Sequence, residues 1–170
     1  GTKWVCNLWT RQSVYDPNQI DETYENPLAD CTLGHVTLDD IEKIIDLETV
    51  VYNTNNERPS PNFIEKLVTA APKLSLVVKD KDGDLIGAMY GGLVKGAKMT
   101  NEKIEKGHDP TGDTLTVFSI SVRKDLQGKG IGKSIADYYY KTLVPESGIK
   151  VDFYSTATRP RYLDWMEKDL

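Results

Sequence analysis

Residues 113–141 read DTLTVFSISVRKDLQGKGIGKSIADYYYK, and this run decides the fold. Leu115–Val122 alternates and is rich in β-branched and aromatic residues, the pattern of a strand. Gln127–Gly132 (QGKGIG) is a glycine-rich turn. From Ser134 to Lys141, Ile135, Tyr138 and Tyr139 recur at helical spacing. Strand, glycine turn and helix, in that order, build an anion cradle. Glycines let the backbone come close to a phosphate, and a helix N-terminus offers unpaired N–H groups at the positive end of its dipole. Lys129 and Lys133 add positive charge beside it.

Two common phosphate loops do not fit. A Walker A loop needs glycine five residues before Gly132, and that position is Gln127. A dinucleotide GxGxxG fails from either start: its third glycine falls on Lys133 or on Ile135. The pattern that fits is Gln-x-x-Gly-x-Gly, as Gln127, Gly130 and Gly132, after a strand exit running from Val122. In this the chain resembles the GNAT superfamily of acetyl-CoA-dependent N-acyltransferases, which holds the coenzyme A pyrophosphate with such a turn. A glycine-rich turn without a ligand is the plain alternative.

Outward from this run, composition sets the bounds. A chain of 170 residues suits one domain, and 39% hydrophobic with 28% charged residues is ordinary for a globular protein. No apolar run is long enough to span a bilayer, and no basic-then-apolar leader is read at the N-terminus, so the expected compartment is cytoplasmic. Net charge −5 argues against a nucleic-acid partner and permits a cationic substrate. Cys6 and Cys31 are expected as free thiols.

Lys3–Thr10 is a short candidate strand, and residues 11–30 read as a polar arm. Cys31–Thr37 is a predicted strand. Leu38–Tyr52 is an amphipathic helix with Ile41, Ile44, Ile45, Glu48 and Val51 at 3–4 spacing, capped by Thr37. Asn53–Pro59 is a loop, and Ser60-Pro61 opens a second helix reaching toward Pro72. Leu74–Lys79 and Leu85–Lys95 form a hairpin around Asp82-Gly83. Gly87, Gly91 and Gly92 mark places where a ligand or another backbone comes close. Residues 96–112 are a long loop or short helix. Lys150–Thr156 is the next strand, and Pro160–Leu170 the last helix.

This order is similar to that of the GNAT fold over residues 31–170, an α/β (α+β) architecture: a mixed, mostly antiparallel central sheet, flanked by helices, with splayed central strands. The arylalkylamine and polyamine N-acetyltransferase branch is the nearest in pattern. Asn56–Pro61 resembles its helix-to-helix loop, and Pro160-x-Tyr162 its Pro-x-Tyr. Residues 1–30 are then an N-terminal arm, a candidate added strand. The resemblance implies two further strands after the last helix; either the 170 residues are a truncated fragment, or Lys3–Thr10 or a partner subunit's strand takes their place, whether the protein is a monomer or a dimer.

The resemblance implies acetyl-CoA as co-substrate and a small primary amine as acceptor, with transfer in a ternary complex. It places the pantetheine arm along Ile120, Ser121 and Val122. The pyrophosphate lies over Gln127, Gly128, Lys129, Gly130, Ile131, Gly132, Lys133 and Ser134. Tyr162 becomes the acid for the departing thiolate. Glu57 and Phe118 are candidate substrate contacts, each with a plain reading as loop carboxylate and core aromatic. An alkylamine has a pKa near ~10.4, so only about one in 10³ is neutral at pH 7 and a base is useful. The branch commonly carries histidine on the motif strand, where this chain has Thr116 and Phe118. His35 and His108 lie elsewhere, and Thr116, Ser119 and Ser121 are positions that order water. No metal is expected. Acetylation of a peptide or protein amine and non-catalytic acyl-CoA binding are the alternatives.

Overall fold

The computed structural model describes Lys3–Trp4, residues 26–52 and residues 59–156. Its strands are β1 (Lys3–Trp4), β2 (Thr32–His35), β3 (Ser75–Lys79), β4 (Leu85–Val94), β5 (Thr114–Val122) and β6 (Phe153–Thr156). They form one sheet in the order β1-β6-β5-β4-β3-β2. Neighbours from β2 to β5 are antiparallel, while β6 runs parallel to both β5 and β1. The sheet is thus mixed and mostly antiparallel, as expected. Lys3–Trp4 pair with Phe153–Tyr154 on the edge of β6 away from β5.

Helices cover both faces, and β3, β4 and β5 are accordingly buried on both sides. One face carries α1 (Ile41–Val51), entered through a 3-10 turn at Leu38–Asp40, and α2 (Pro61–Ala70). Asp40 fixes the start of α1. Its carboxylate accepts from the Thr37 N–H (3.0 Å) and hydroxyl (2.8 Å) and pairs with Lys79 of β3 at 2.7 Å. Burial pushes the Asp40 pKa up, but Lys79 and Thr37 outweigh it and hold the carboxyl below its ordinary value. The Ser60 hydroxyl accepts from the Phe63 N–H (3.2 Å) and Pro61 takes the first helical position, as the sequence predicts. Ile44, Ile64, Leu67 and Val68 then pack on Val77, Ala88, Tyr90 and Phe118.

The other face carries α4 (Ile131–Tyr138), which follows the short α3 (Asn101–Lys106) and β5 in the chain. α4 runs past the expected end at Lys141, through a π turn at Tyr139–Leu143 and a last α turn at Val144–Glu146. Its Ile135, Tyr139 and Leu143 join Leu76, Val78, Met89, Leu115 and Val117 in the larger core. Here the β4 glycines find their use. A Cβ on Gly87 would lie 2.6 Å from Ile135, and one on Gly91 would lie 2.6 Å from the Thr116 carbonyl and 2.8 Å from the Tyr139 hydroxyl. On the α2 face, a Cβ on Gly92 would lie 2.1 Å from the Gly107 carbonyl. These positions admit the protein's own chain.

The crossing at Gly92 organises the 96–112 segment. Thr100 caps α3 by accepting from the Lys103 N–H, and Gly107, at φ 76°, ends it. The chain then lays His108 against β4, where its Nδ1 accepts the Leu93 N–H at 3.1 Å. The ring is half-buried and engaged. Burial lowers the His108 pKa, with Asp109 opposing, so the folded protein resists the proton that the unfolded chain accepts near 6.5. Stability from this group is therefore complete above that pH and lost as pH falls through it. Between pH 7.5 and 5.5, the wild type should therefore lose stability that His108→Gln keeps. Urea midpoints for the two proteins at both pH values measure it, and parallel declines would rule it out.

Candidate active site

The cradle predicted from 127–134 is built as one piece. Gly128 (φ 79°) and Gly130 (φ 81°) both adopt left-handed backbone, and Gly130 is the N-cap of α4. Glycine is the residue that takes this conformation without strain. The first helical bond runs from the Ser134 N–H to the Gly130 carbonyl, so the N–H groups of Ile131, Gly132 and Lys133 lie ahead of the helical ladder. Lys129 and Lys133 are exposed beside the turn, and Ser134 is buried on its inner side. A groove of about 300 Å³ runs from this turn to the end of α1, lined by Val51, Tyr52, Ile120, Val122, Leu126, Gln127 and the glycines.

β5 forms the floor of the groove. Its described ladder with β6 ends at Val117↔Thr156, whereas its ladder with β4 continues to Val122. The Arg123 N–H donates to the Ile86 carbonyl, so alternate residues face β4 and the main-chain groups of Ile120 and Val122 point to the other side. Ile120 is 37% exposed there. The two outward carbonyls have side-chain donors: the Tyr52 hydroxyl on Ile120 (2.7 Å) and the Gln127 amide on Val122 (2.9 Å). A carbonyl has two lone pairs, so an incoming extended ligand would share these acceptors or displace the side chains.

A bulge interrupts β5 beside this edge. Tyr90 faces Ser119 and Gly91 faces Val117, which leaves Phe118 as the extra residue. Phe118 and Ser119 consequently turn to the same face, toward α1 and α2. Phe118 packs edge-to-face on Phe63 at 5.2 Å. Ser119 donates to Glu48 of α1 at 2.5 Å. Glu48 has no exposed surface, and the Tyr90 hydroxyl also donates to both its oxygens, at 2.8 and 2.9 Å. The Tyr52 hydroxyl stands 3.5 Å from Ser119 Oγ. Burial, then the Glu48 charge, push the Tyr90 phenol well above its ordinary pKa, so it remains a proton donor to the carboxylate.

Of the predicted site residues, the cradle and Ile120–Val122 meet at one groove, and Phe118 lies across β5 from it. The Ser121 hydroxyl is buried and has no hydrogen-bond partner among the described residues. Tyr162, Glu57 and the last helix lie outside the described residues. Glu48, Tyr52 and Tyr90 were not singled out as functional from sequence. One signal was present for Glu48: a carboxylate on the apolar stripe of α1, four residues after the buried Ile44. Among the described residues no group of three His, Cys, Asp or Glu side chains is placed to hold a metal ion, and no helix is long and apolar enough to cross a membrane.

The model of the acetyltransferase (GNAT) family matches residues 38–161, well over half of the chain. The chain belongs to this family. A search of curated proteins finds no match to the sequence. Solved structures share the GNAT fold at low identity. The loading GNATL domain of CurA from Lyngbya majuscula superposes with a TM-score of 0.59 at 18% identity, over 65% of this chain and 57% of that one. Diaminobutyrate acetyltransferase EctA from Paenibacillus lautus, bound to its substrate and coenzyme A, gives 0.53 at 16% identity over 81% and 75%. The N-acetyltransferase YhbS from Escherichia coli, in complex with CoA, gives 0.51 at 15% over 72% and 61%. The GNAT chain described here thus spans 57% of the length of the first of these.

Proposed function

We propose that this GNAT protein is an acetyl-CoA-dependent N-acetyltransferase whose acceptor is a small primary amine, of the arylalkylamine or polyamine kind. One observation carries the reading: two left-handed glycines lead into the N-terminus of α4, at the end of a strand edge that offers outward main-chain groups. The residues present fit coenzyme A. The helix N-terminus and the two lysines suit a pyrophosphate, and the edge of Ile120–Val122 suits the amides of a pantetheine arm. Bound there, acetyl-CoA supplies the activated acyl group. The Ile120 N–H is the candidate donor to the thioester oxygen as it gains charge. Tyr162 is the candidate acid for the thiolate, and Glu57 and Phe118 remain candidate acceptor contacts. The buried carboxylate near the bulge and the net charge of −5 favour a cationic acceptor.

The test is thiol release from acetyl-CoA with phenethylamine, tryptamine, spermidine and a lysine peptide, for wild type and Tyr162→Phe. Turnover of a small amine, reduced in the variant with cofactor binding retained, is expected. Turnover of the peptide alone would move the acceptor to protein amines. Coenzyme A binding without turnover of any amine would leave a binding module.

A further inference from the structure

Glu48 is the most buried carboxylate among the described residues that bear on the groove, and the cradle does not need it. It sits on the apolar face of α1, where a side chain of that polarity has to be satisfied to be tolerated. Its partners among the described residues include Tyr90 from β4 and Ser119 from the β5 bulge, with Tyr52 reached through Ser119. The bulge is what turns Ser119 inward. The arrangement also has a direction. Ser119 gives its proton to Glu48, which leaves the Ser119 lone pairs open toward the Tyr52 hydroxyl 3.5 Å away, whose own O–H rests on the Ile120 carbonyl and has to turn to reach Ser119. Tyr52 in turn lines the groove and touches the Ile120 main chain, where the acyl group is to lie.

We infer that Tyr52, Ser119 and Glu48 form a proton relay that takes one proton from the substrate ammonium beside Ile120 and holds it on Glu48. This rests on the N-acetyltransferase reading. The substrate R–NH₃⁺ donates to the Tyr52 hydroxyl, whose O–H turns from the Ile120 carbonyl to Ser119 Oγ and passes its proton there, and the Ser119 proton moves to Glu48. The amine is left neutral with its lone pair free, and Glu48 becomes a neutral carboxylic acid. The amine then attacks the thioester carbon, the C–N bond forms, the C–S bond breaks, Tyr162 gives its proton to the thiolate, and the second nitrogen proton replaces the one Tyr162 gave. Glu48 returns its proton to solvent along the same path. The relay does the work of the imidazole missing at Thr116 and Phe118. The titratable groups shown facing Glu48 are Tyr90 from β4 and Tyr52 from its own helix end; α2 turns Ile64, Leu67 and Val68 toward this core.

The test is the pH profile of kcat/KM for phenethylamine and for spermidine between pH 6.5 and 10, with wild type, Glu48→Gln, Ser119→Ala and Ser119→Thr. Acetyl-CoA affinity and melting temperature are measured alongside. A general base contributes about 10²–10⁴-fold. Glu48→Gln, which keeps the acceptor for Tyr90, should therefore lose about 10²-fold or more at pH 7 and recover most of it near pH 10, where roughly a quarter of the amine is already neutral. Ser119→Ala should behave likewise and Ser119→Thr should restore the rate, all with cofactor affinity unchanged. A pH-independent loss, or a rate in Ser119→Ala equal to wild type, overturns the relay and leaves the transferase intact. A wild type that binds acetyl-CoA and turns over neither amine nor the lysine peptide overturns the transferase reading, and the relay with it.

Discussion

Gly92→Ala should lower the melting temperature by about 6–12 °C, the effect of roughly 3 kcal/mol of overpacking on a domain of this size. The added Cβ would lie 2.1 Å from the Gly107 carbonyl oxygen and 3.0 Å from Leu67 Cδ1. The first of these is main chain at a left-handed glycine, which cannot rotate away as a side chain does. Relief requires lifting the 107–112 crossing off β4, and that breaks the bond between His108 and the Leu93 N–H. Gly34→Ala is the matched control. No atom lies within 4 Å of its Cβ, so removing a flexible glycine from β2 should leave stability unchanged or slightly raised. Thermal melts of the two variants decide the matter; equal melting temperatures would mean that the loop does not press on the strand.

The second large effect concerns the cradle. Gly130→Val should weaken acetyl-CoA binding at least tenfold, about 1.4 kcal/mol, while the melting temperature falls by only a few degrees. Nothing crowds the Gly130 side-chain position, so the cost is conformational. An L-residue at φ 81° is strained by about 1–2 kcal/mol, more when β-branched. The turn relaxes by rotating, and the N–H groups at the start of α4 then no longer converge. Gly132→Ala separates backbone strain from simple bulk. Its Cβ would meet only Val122 at an ordinary 3.7 Å, and its backbone is helical. That variant should keep both fold and binding. Isothermal titration with acetyl-CoA reads both, and wild-type affinity in Gly130→Val would move the cofactor away from this turn.

Much of the architecture is legible in the sequence because its signals are local. Ser60-Pro61 is both cap and first turn, Asp82-Gly83 is a hairpin, and the alternation of 115–122 is a strand, each found within a residue or two of its expected place. The glycine turn before α4 is legible for the same reason: positive φ at two glycines, before a helix, is a property of six consecutive residues. α4 is longer than its apolar spacing suggests. Past Lys141 the helix is held by Leu143 and Val144 against the sheet, which periodicity over a single turn does not report.

The hydrogen-bonded cluster around Glu48 is illegible in the sequence because it is assembled from distant parts. Glu48 and Ser119 lie 71 positions apart, and Tyr90 and Glu48 lie 42 apart. Read alone, Glu48 is one acid among many, Tyr90 an apolar strand residue, and Ser119 a small polar residue. The one-residue bulge at Phe118 places Ser119 on the face of α1, and strand alternation predicts the opposite face. The β4 glycines share this logic. Their spacing announces close approach, but whether a ligand, a helix side chain or a crossing loop arrives is decided by packing.

By itself, then, the amino-acid sequence determined which segments become strands, helices and turns, and where an anion could be cradled, since these follow from backbone geometry and side-chain periodicity over a few residues. Only the tertiary structure decided what lies opposite what. It set which carboxylate is buried, which hydroxyls reach it, and which carbonyls of β5 face the groove. Those outcomes depend on the register between strands and the seating of α1, where a one-residue bulge reverses the face on which a side chain lies.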